Sequence, residues 1–277
     1  GGKIVTLIKQ LIAATALVSA SATVANATDL EVMHWWTSGG EAAAVAEFAN
    51  AFTASGHTWI DGAIAGGDNA RPVMVSRITG GNPPGAFQFN HGRQAEELIE
   101  SGLLRDITDI AEAEGWKDIV NPSNLLGACT VDGRIFCAPV NIHSWQWLWV
   151  GHQAYKDAGI DVPTNWNEFA ASAPALEAAG KVPLAMGQQG WQQGGAFNVL
   201  MSSLVPQDVF MSVYGDKDVG VAAGGEIATV FQAASDARAM TLNAPVQNWN
   251  DATNMLITGK AGGQIMGDWA QGEFAVA

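Results

Sequence analysis

The sequence predicts an α/β fold with a mostly parallel sheet covered by helices. Three observations carry this. Extended apolar runs alternate with Ala-rich stretches of helical period, in a β-α-β-α order. The run Leu30 to Glu41, LEVMHWWTSGGE, passes from an extended apolar segment through a Thr37-Ser38-Gly39-Gly40 turn into a helical pattern. The composition, 48% hydrophobic but only 14% charged, with many Ala and Gly, suits a packed α/β protein and not a disordered one.

In chain order, residues 1–27 read as a secretory signal peptide. Lys3 and Lys9 mark its basic part, Leu11 to Val18 is a short apolar run, and Val24-Ala25-Asn26-Ala27 offers a small-x-small cleavage pattern. The apolar run is too short to span a bilayer. With no Cys near the cut, no lipid anchor is expected, and the mature chain is expected to be soluble in the periplasm. Cleavage removes the two lysines and no acid, moving the formal net charge from −14 to −16. That balance argues against nucleic acid or an anionic membrane as partner.

Leu30, Val32 and Met33 belong to the first strand, which ends in Trp35 and Trp36. The turn after it lies at the carboxyl end of the sheet, where open α/β folds bind ligands. Indole faces beside the carboxylate of Glu41 suit a polyhydroxylated ligand: C–H faces for the rings, hydroxyls for the acceptor. Gly40 to Ala54 follows as a helix with Val45, Phe48, Ala49 and Phe52 on one face. Thr58 to Ile64 reads as a strand, Gly66-Gly67-Asp68 as a turn, and Arg71 to Thr79 as a helix with Pro72 in its first turn. Gly80 to Gly85 breaks the chain. Ala86 to Phe89 is a short strand whose carboxyl end carries Gln88, Asn90 and His91, and Arg93 to Glu100 is a helix closed by Gly102.

Cys129 and Cys137 flank a hairpin, CTVDGRIFC. A three-residue loop, Asp132-Gly133-Arg134, places the two cysteines opposite each other, with Thr130 opposite Phe136 and Val131 opposite Ile135. Directly paired strand residues lie within disulfide reach, and an exported protein sits in an oxidising compartment, so a structural disulfide is expected.

Pro139 to Val150, PVNIHSWQWLWV, is a long extended stretch in which Asn141, His143, Trp145, Trp147 and Trp149 alternate onto one face. It is a candidate crossover between lobes. Trp147 and Trp149 are assigned to the core. Thr164 caps a helix over Asn167 to Phe169. Val182 to Met186 is a strand followed by a polar loop, Gly187 to Gln193, that carries Trp191. Asn198 to Leu204, Gly225 to Leu242 and Asn250 to Gly259 read as helices. Ala261 to Met266 is the last strand, with Gly267-Asp268-Trp269 at its end.

These phrases together (the signal peptide, LEVMHWWTSGGE, GNPPGAFQF, DGRIFCAPVNIHSWQWLW, GIDVPTNWNEF and AGGQIMGDWAQGEF) resemble the periplasmic sugar-binding proteins of ABC importers. The likeness is to the glucose/mannose-binding branch of the family-one extracellular solute-binding proteins. The resemblance implies a two-lobe, type II periplasmic-binding-protein-like fold: a first lobe over 28–138 and a crossover with a second lobe over 139–277. It implies a monomer that closes on a sugar, a monosaccharide such as glucose or mannose, and delivers it to the membrane permease subunits of the importer without catalysis. Members of this family continue well past the position of Ala277, so both lobes are expected to be incomplete at the C-terminus, and the family's later Lys and His ligands have no counterpart.

The candidate ligand residues are therefore Trp35, Trp36, Glu41, Gln88 and His91 from the first lobe and His143, Trp145, Trp191 and Asp268 from the second, with Asp268 supported by the resemblance as a hydroxyl acceptor. Glu41 reads equally well as a favourable charge at a helix N-terminus. An oligosaccharide or polyol receptor is the alternative within the binding class. A hydrolase would need two carboxyls at a defined separation, for which Glu41, Asp268 and Glu273 are the available groups, and nothing in the sequence sets that distance. No nucleophile elbow, metal-ligand His pair or phosphate loop is present, so no cofactor or metal is expected.

Overall fold

A computed structural model describes residues 27–90, 92–241 and 246–277. The signal-peptide assignment, apart from Ala27, and the assignment of His91 lie outside the described residues.

The first half builds a three-stranded parallel sheet of order β2-β1-β3. Strand β1 (Asp29–His34) pairs with β2 (Thr58–Ala63) from Asp29↔Thr58 to His34↔Ala63 and with β3 (Ala86–Phe87) at Val32↔Ala86. Helices α1 (Gly39–Ala54) and α2 (Gly67–Thr79) connect the strands. Parallel neighbours require such crossovers, and each leaves a turn at the strands' carboxyl ends. Met33, Ala70 and Met74 form a small core under Trp35, Ile64, Phe87 and Phe89. Of the predicted apolar face of α1 only Val45 is buried, and Phe48 is 46% exposed.

A 3₁₀ turn (Gly92–Ala95) and α3 (Glu96–Glu100) lead into three short helices: α4 (Thr108–Ala113), α5 (Trp116–Ile119) and α6 (Asn124–Gly127). These pack with Cys129 and Ile135 around a satellite core. The Cys129–Cys137 disulfide is formed, with a Cα–Cα distance of 5.2 Å. Its hairpin register differs from the expected one. Strands β4 (Thr130–Val131) and β5 (Arg134–Ile135) pair Thr130↔Ile135 and Val131↔Arg134. The loop is two residues, Asp132-Gly133, both at positive φ. Asp-Gly is a preferred dipeptide for the type I′ turn, which matches strand twist and excludes Arg134 from the loop. The cysteines therefore bridge diagonally, just beyond the Phe136 N–H to Cys129 carbonyl bond.

The second sheet has order β6-β8-β7 and is mixed. Strand β6 (Leu148–Val150) runs antiparallel to β8 (Ala261–Ile265), and β7 (Val182–Leu184) runs parallel to it. Helices α7 (His152–Ala158), α8 (Trp166–Ala178), α9 (Gly190–Leu204), α10 (Gln207–Tyr214), α11 (Val219–Ala222), α12 (Gly225–Thr241), α13 (Trp249–Ile257) and α14 (Ala270–Val276) complete this half. Its core is larger, built on Tyr155, Phe169, Leu176, Leu184, Leu200, Met201, Val230 and Ile265. All of β8 is buried. Gly262 and Gly263 suit it because Leu176 and Phe169 press onto the strand; a Cβ at either glycine would lie 2.5 Å from one of those side chains. The one polar side chain on β8, Gln264, accepts from Thr253 Oγ1 at 2.8 Å and donates to the Trp249 carbonyl at 2.9 Å, which ties α13 to the strand.

Four further expectations are corrected. The extended stretch from Pro139 pairs as a strand only over Leu148–Val150, because Leu148 already stands opposite Ile265, the last residue of β8. Trp147 is 46% exposed and stacks on Trp149 at 5.5 Å, so Trp149 alone of that pair packs inward. The cap of α8 is Asn165, whose Oδ1 accepts from the Glu168 N–H at 3.0 Å, while Glu168 reaches back to the Thr164 N–H at 2.8 Å. Trp191 stands in the first turn of α9 and not in a loop. Gly190, Gly194 and Gly195 hide that helix from a propensity reading.

Among the described residues, no helix is long and apolar enough to cross a membrane, and no cluster of three His, Cys, Asp or Glu stands ready for a metal.

Candidate functional site

Most of the candidate residues follow the carboxyl ends of β1, β3, β7 and β8, while His143 and Trp145 lie just before β6, which runs antiparallel to β8. In the first sheet, His34 closes β1 by bonding Asp61 of β2 at 2.7 Å, and this contact holds the Asp61 carboxyl below its ordinary range. The next residue, Trp35, lies over the turn before α2, its ring 3.5 Å from where a Gly67 Cβ would stand. Its N–H donates to Gln88 Oε1 at 3.0 Å, so Gln88 ties the end of β3 to the end of β1. Trp36 follows, half-buried.

Glu41 serves the helix it opens. Its Oε2 accepts from the Ser38 N–H at 3.3 Å and from Ser38 Oγ at 3.0 Å, a capping box on α1. Burial pushes the Glu41 carboxyl above its ordinary value against the pull of these bonds, and the nearby Glu273 carboxylate adds to the rise. An acid raised in the folded state holds protons that the unfolded chain has lost, so it costs stability as pH climbs through the window above the ordinary carboxylate value. Glu41→Gln is thus expected to raise the melting temperature at about pH 7, and the gain is expected to shrink toward about pH 4. Thermal melts across that range check it; a gain that does not depend on pH would rule the explanation out.

In the second sheet, the chain before β6 runs beside the loop after β8. Asp268 N–H donates to the Ser144 carbonyl at 2.9 Å, and Asp268 Oδ1 meets His143 Nδ1 at 2.8 Å. Asn141 bonds the other ring nitrogen of His143. Three indoles cluster next to this pair, Trp269 touching His143. Trp145 meets Trp269 edge-on at 4.9 Å and Trp191 at 5.7 Å, and His143 meets Trp269 at 4.9 Å. Edge-to-face contacts of this kind fix ring orientation. Trp145 seats on α9 because Gly195 has no side chain: a Cβ there would fall 2.0 Å from the indole. Thus His143, Trp145, Trp191 and Asp268 converge on one side, and Trp35, Gln88, Trp36 and Glu41 gather at the ends of β1 and β3.

The two halves touch near these ends. Gly40 N–H donates to Glu273 Oε1 at 2.9 Å, so a carboxylate from α14 caps α1. Gln189 Nε2 would lie 3.7 Å from a Cβ on Gly66. Both Glu41 and Glu273 spend oxygens on the amino end of α1. A shallow depression of about 420 Å³ lies beside the first sheet, between α2 residues Asp68, Arg71 and Val75 and Phe89; Asp68 there is paired with Arg71 at 2.5 Å.

Sequence reasoning missed Trp269, Gln189 and Glu273 as parts of this arrangement. Trp269 had a signal, its place beside Asp268 at a strand end. Gln189 had a weaker one, the run of glutamines around Trp191. The capping role of Glu273 had none, because its partner lies 233 residues away.

The family described as bacterial extracellular solute-binding protein matches residues 36–277. A probable sugar-binding periplasmic protein of Brucella melitensis is 38% identical over 271 residues, covering 96% of this chain and 64% of that protein. The chain therefore spans less than two thirds of that relative's length. The glucose-binding protein GlcS of Saccharolobus solfataricus is 24% identical over 223 residues, covering 74% of this chain and 39% of that protein. Among solved structures, the bacterial solute receptor AcbH, described as having an exclusive preference for β-D-galactopyranose, superposes with a TM-score of 0.71 at 20% identity, covering 89% of this chain and 62% of that one. At that identity the likeness speaks for the fold alone.

Proposed function

The chain belongs to the bacterial extracellular solute-binding proteins, and we propose that it is the greater part of a periplasmic receptor that binds a sugar between two lobes, 28–138 and 139–277, and hands it to the permease of an ABC importer. The observation that carries this reading is the set of three mutually braced indoles, Trp145, Trp191 and Trp269, beside the His143–Asp268 pair. Apolar rings next to oriented acceptors match the two faces of a pyranose, C–H on one side and hydroxyls at the rim. Trp35 and Trp36 would supply the opposing wall and Glu41 a further acceptor.

The ligand is a monosaccharide such as glucose or mannose, held without chemical change by a soluble monomer. Relatives bearing sugar-binding names support the ligand class. Sugar binding would bridge the lobes and favour the closed arrangement through contacts made only there.

Titrating the tryptophan fluorescence of the full-length protein with a panel of monosaccharides tests this. A saturable change with glucose or mannose, and recovery of the sugar unaltered, is the expected result. Silence toward every sugar, or turnover of one, would end the proposal.

A further inference from the structure

We propose that Gln189 is a further ligand-contacting residue, its side-chain amide donating to a sugar hydroxyl, and that the buried Gln192 is the residue that positions it. This rests on the sugar-receptor reading above.

Gln189 stands just before α9, half-buried, with its two ends engaged very differently. Its Oε1 accepts twice, from the indole Nε1 of Trp191 at 2.8 Å and from Gln192 Nε2 at 2.9 Å. Two donors on the carbonyl fix which way the amide faces and polarise its N–H bonds. The Nε2 end makes only one long contact among the described residues, to Asn248 Oδ1 at 3.4 Å. It points toward the Gly66 turn of the first half, 3.7 Å from where a Cβ would stand. An oriented donor thus sits between the carboxyl ends of the two sheets, tied to one of the indoles that would line the ligand.

Gln192 shows that this orientation is built at a cost. It is fully buried, and its Nε2 is held by Gln189 Oε1 and by the Gln247 carbonyl at 3.2 Å. Its own Oε1 is buried with no partner among the described residues. Buried unpaired carbonyls are unfavourable, and an apolar side chain of the same size would avoid the penalty. Gly187 leaves the room the amide needs; a Cβ there would fall 2.1 Å from Gln192 Oε1. A residue that fits poorly as core and well as a strut for Gln189 is most simply explained by what Gln189 does.

The chemistry at stake is one hydroxyl. Sites built to hydrogen-bond a hydroxyl reject the deoxy analogue strongly. The experiment uses the full-length protein, D-glucose and its monodeoxy derivatives, with binding read by fluorescence and calorimetry and stability by thermal melts. Gln189→Met keeps the length of the side chain but removes its polar end, so no hydrogen bond to the hydroxyl remains. It is expected to bind glucose about tenfold more weakly and to lose discrimination against the one deoxy sugar that the wild type rejects through this contact. Gln192→Met removes the unpaired carbonyl while releasing Gln189. It is expected to melt at the same temperature or higher yet bind glucose several-fold more weakly. A merely structural role would move stability and affinity together. If Gln189→Met does not fold, the opposed shifts in Gln192→Met carry the test.

Wild-type affinity with unchanged deoxy-sugar discrimination in Gln189→Met, or wild-type affinity in Gln192→Met, overturns the inference. A wild-type protein that responds to no sugar overturns the receptor reading instead, and this inference falls with it.

Discussion

Replacing Asp268 with Ala in the full-length protein is expected to weaken sugar binding by about tenfold to a hundredfold while changing stability little. The magnitude follows from the loss of a charge-assisted hydrogen bond to a hydroxyl, about 1.5–3 kcal/mol, at about tenfold per 1.4 kcal/mol. The stability expectation follows from the geometry. The Asp268–His143 pair is about one third exposed on both sides (34% and 37%), and exposed pairs contribute about 0–1 kcal/mol. The backbone bond from Asp268 N–H to the Ser144 carbonyl survives the substitution, so the loop keeps its course. Calorimetry with glucose beside a thermal melt separates the two effects. Unchanged affinity would remove Asp268 from the site, and a collapse of stability would make it a structural residue. Asp268→Asn keeps shape and one acceptor, and is expected to fall between the wild type and Ala.

The second large effect concerns the place where the two halves meet. Helices α1 and α14 cross with Gly40 against Gly272. A Cβ on Gly40 would lie 2.7 Å from the Gly272 carbonyl carbon and 2.8 Å from its Cα. Both are backbone atoms, so no rotamer change relieves the clash; the helices must separate. Gly40→Val is expected to cost about 1–3 kcal/mol or more, which lowers the melting temperature by about 2–4 °C per kcal/mol in a chain of this size. Separation also breaks the Gly40 N–H to Glu273 Oε1 bond. The turn carrying Trp36 and the turn carrying Asp268 and Trp269 each lead into one of these helices, so weaker sugar binding should accompany the loss of stability. Gly194→Ala is the control. That position lies on the exposed side of α9 with nothing within 4 Å of a Cβ, and Ala there is expected to stabilise by about 0.5–1 kcal/mol. If Gly40→Val melts like the wild type, the close crossing of α1 and α14 is not a feature of the folded protein.

Much of the arrangement was legible residue by residue. The strand-turn-helix at Leu30 to Glu41, the parallel neighbours after it, and the last strand, which leads into the turn with Asp268, are written in short-range periodicity, which reports how one element divides its side chains between core and solvent. The cysteine pair was legible from spacing and compartment, although its register was not: a one-residue change in loop length shifts every opposed pair, and the Asp-Gly turn decided it. Helix α9 was half-hidden by its glycines, and the reason for Gly195 lies in Trp145, fifty residues earlier in the chain. Tryptophan content marked PVNIHSWQWLWV as important without saying which ring faces where. Pairing with β8 extends over only three of its residues, so period-two alternation failed to assign Trp147.

The sequence by itself determined the family, the order and type of the main elements, the cysteine bridge and the strand ends at which to look for a ligand, because these depend on neighbours within one element or one turn. Only the tertiary structure decided that Trp145, Trp191 and Trp269 brace one another, that Gln192 holds Gln189 toward the Gly66 turn, and that Glu273 caps a helix from the far end of the chain. Those contacts join residues that share no local pattern; they arise when packed cores bring distant strand ends to the same place, and no periodicity along the chain records which ends will meet.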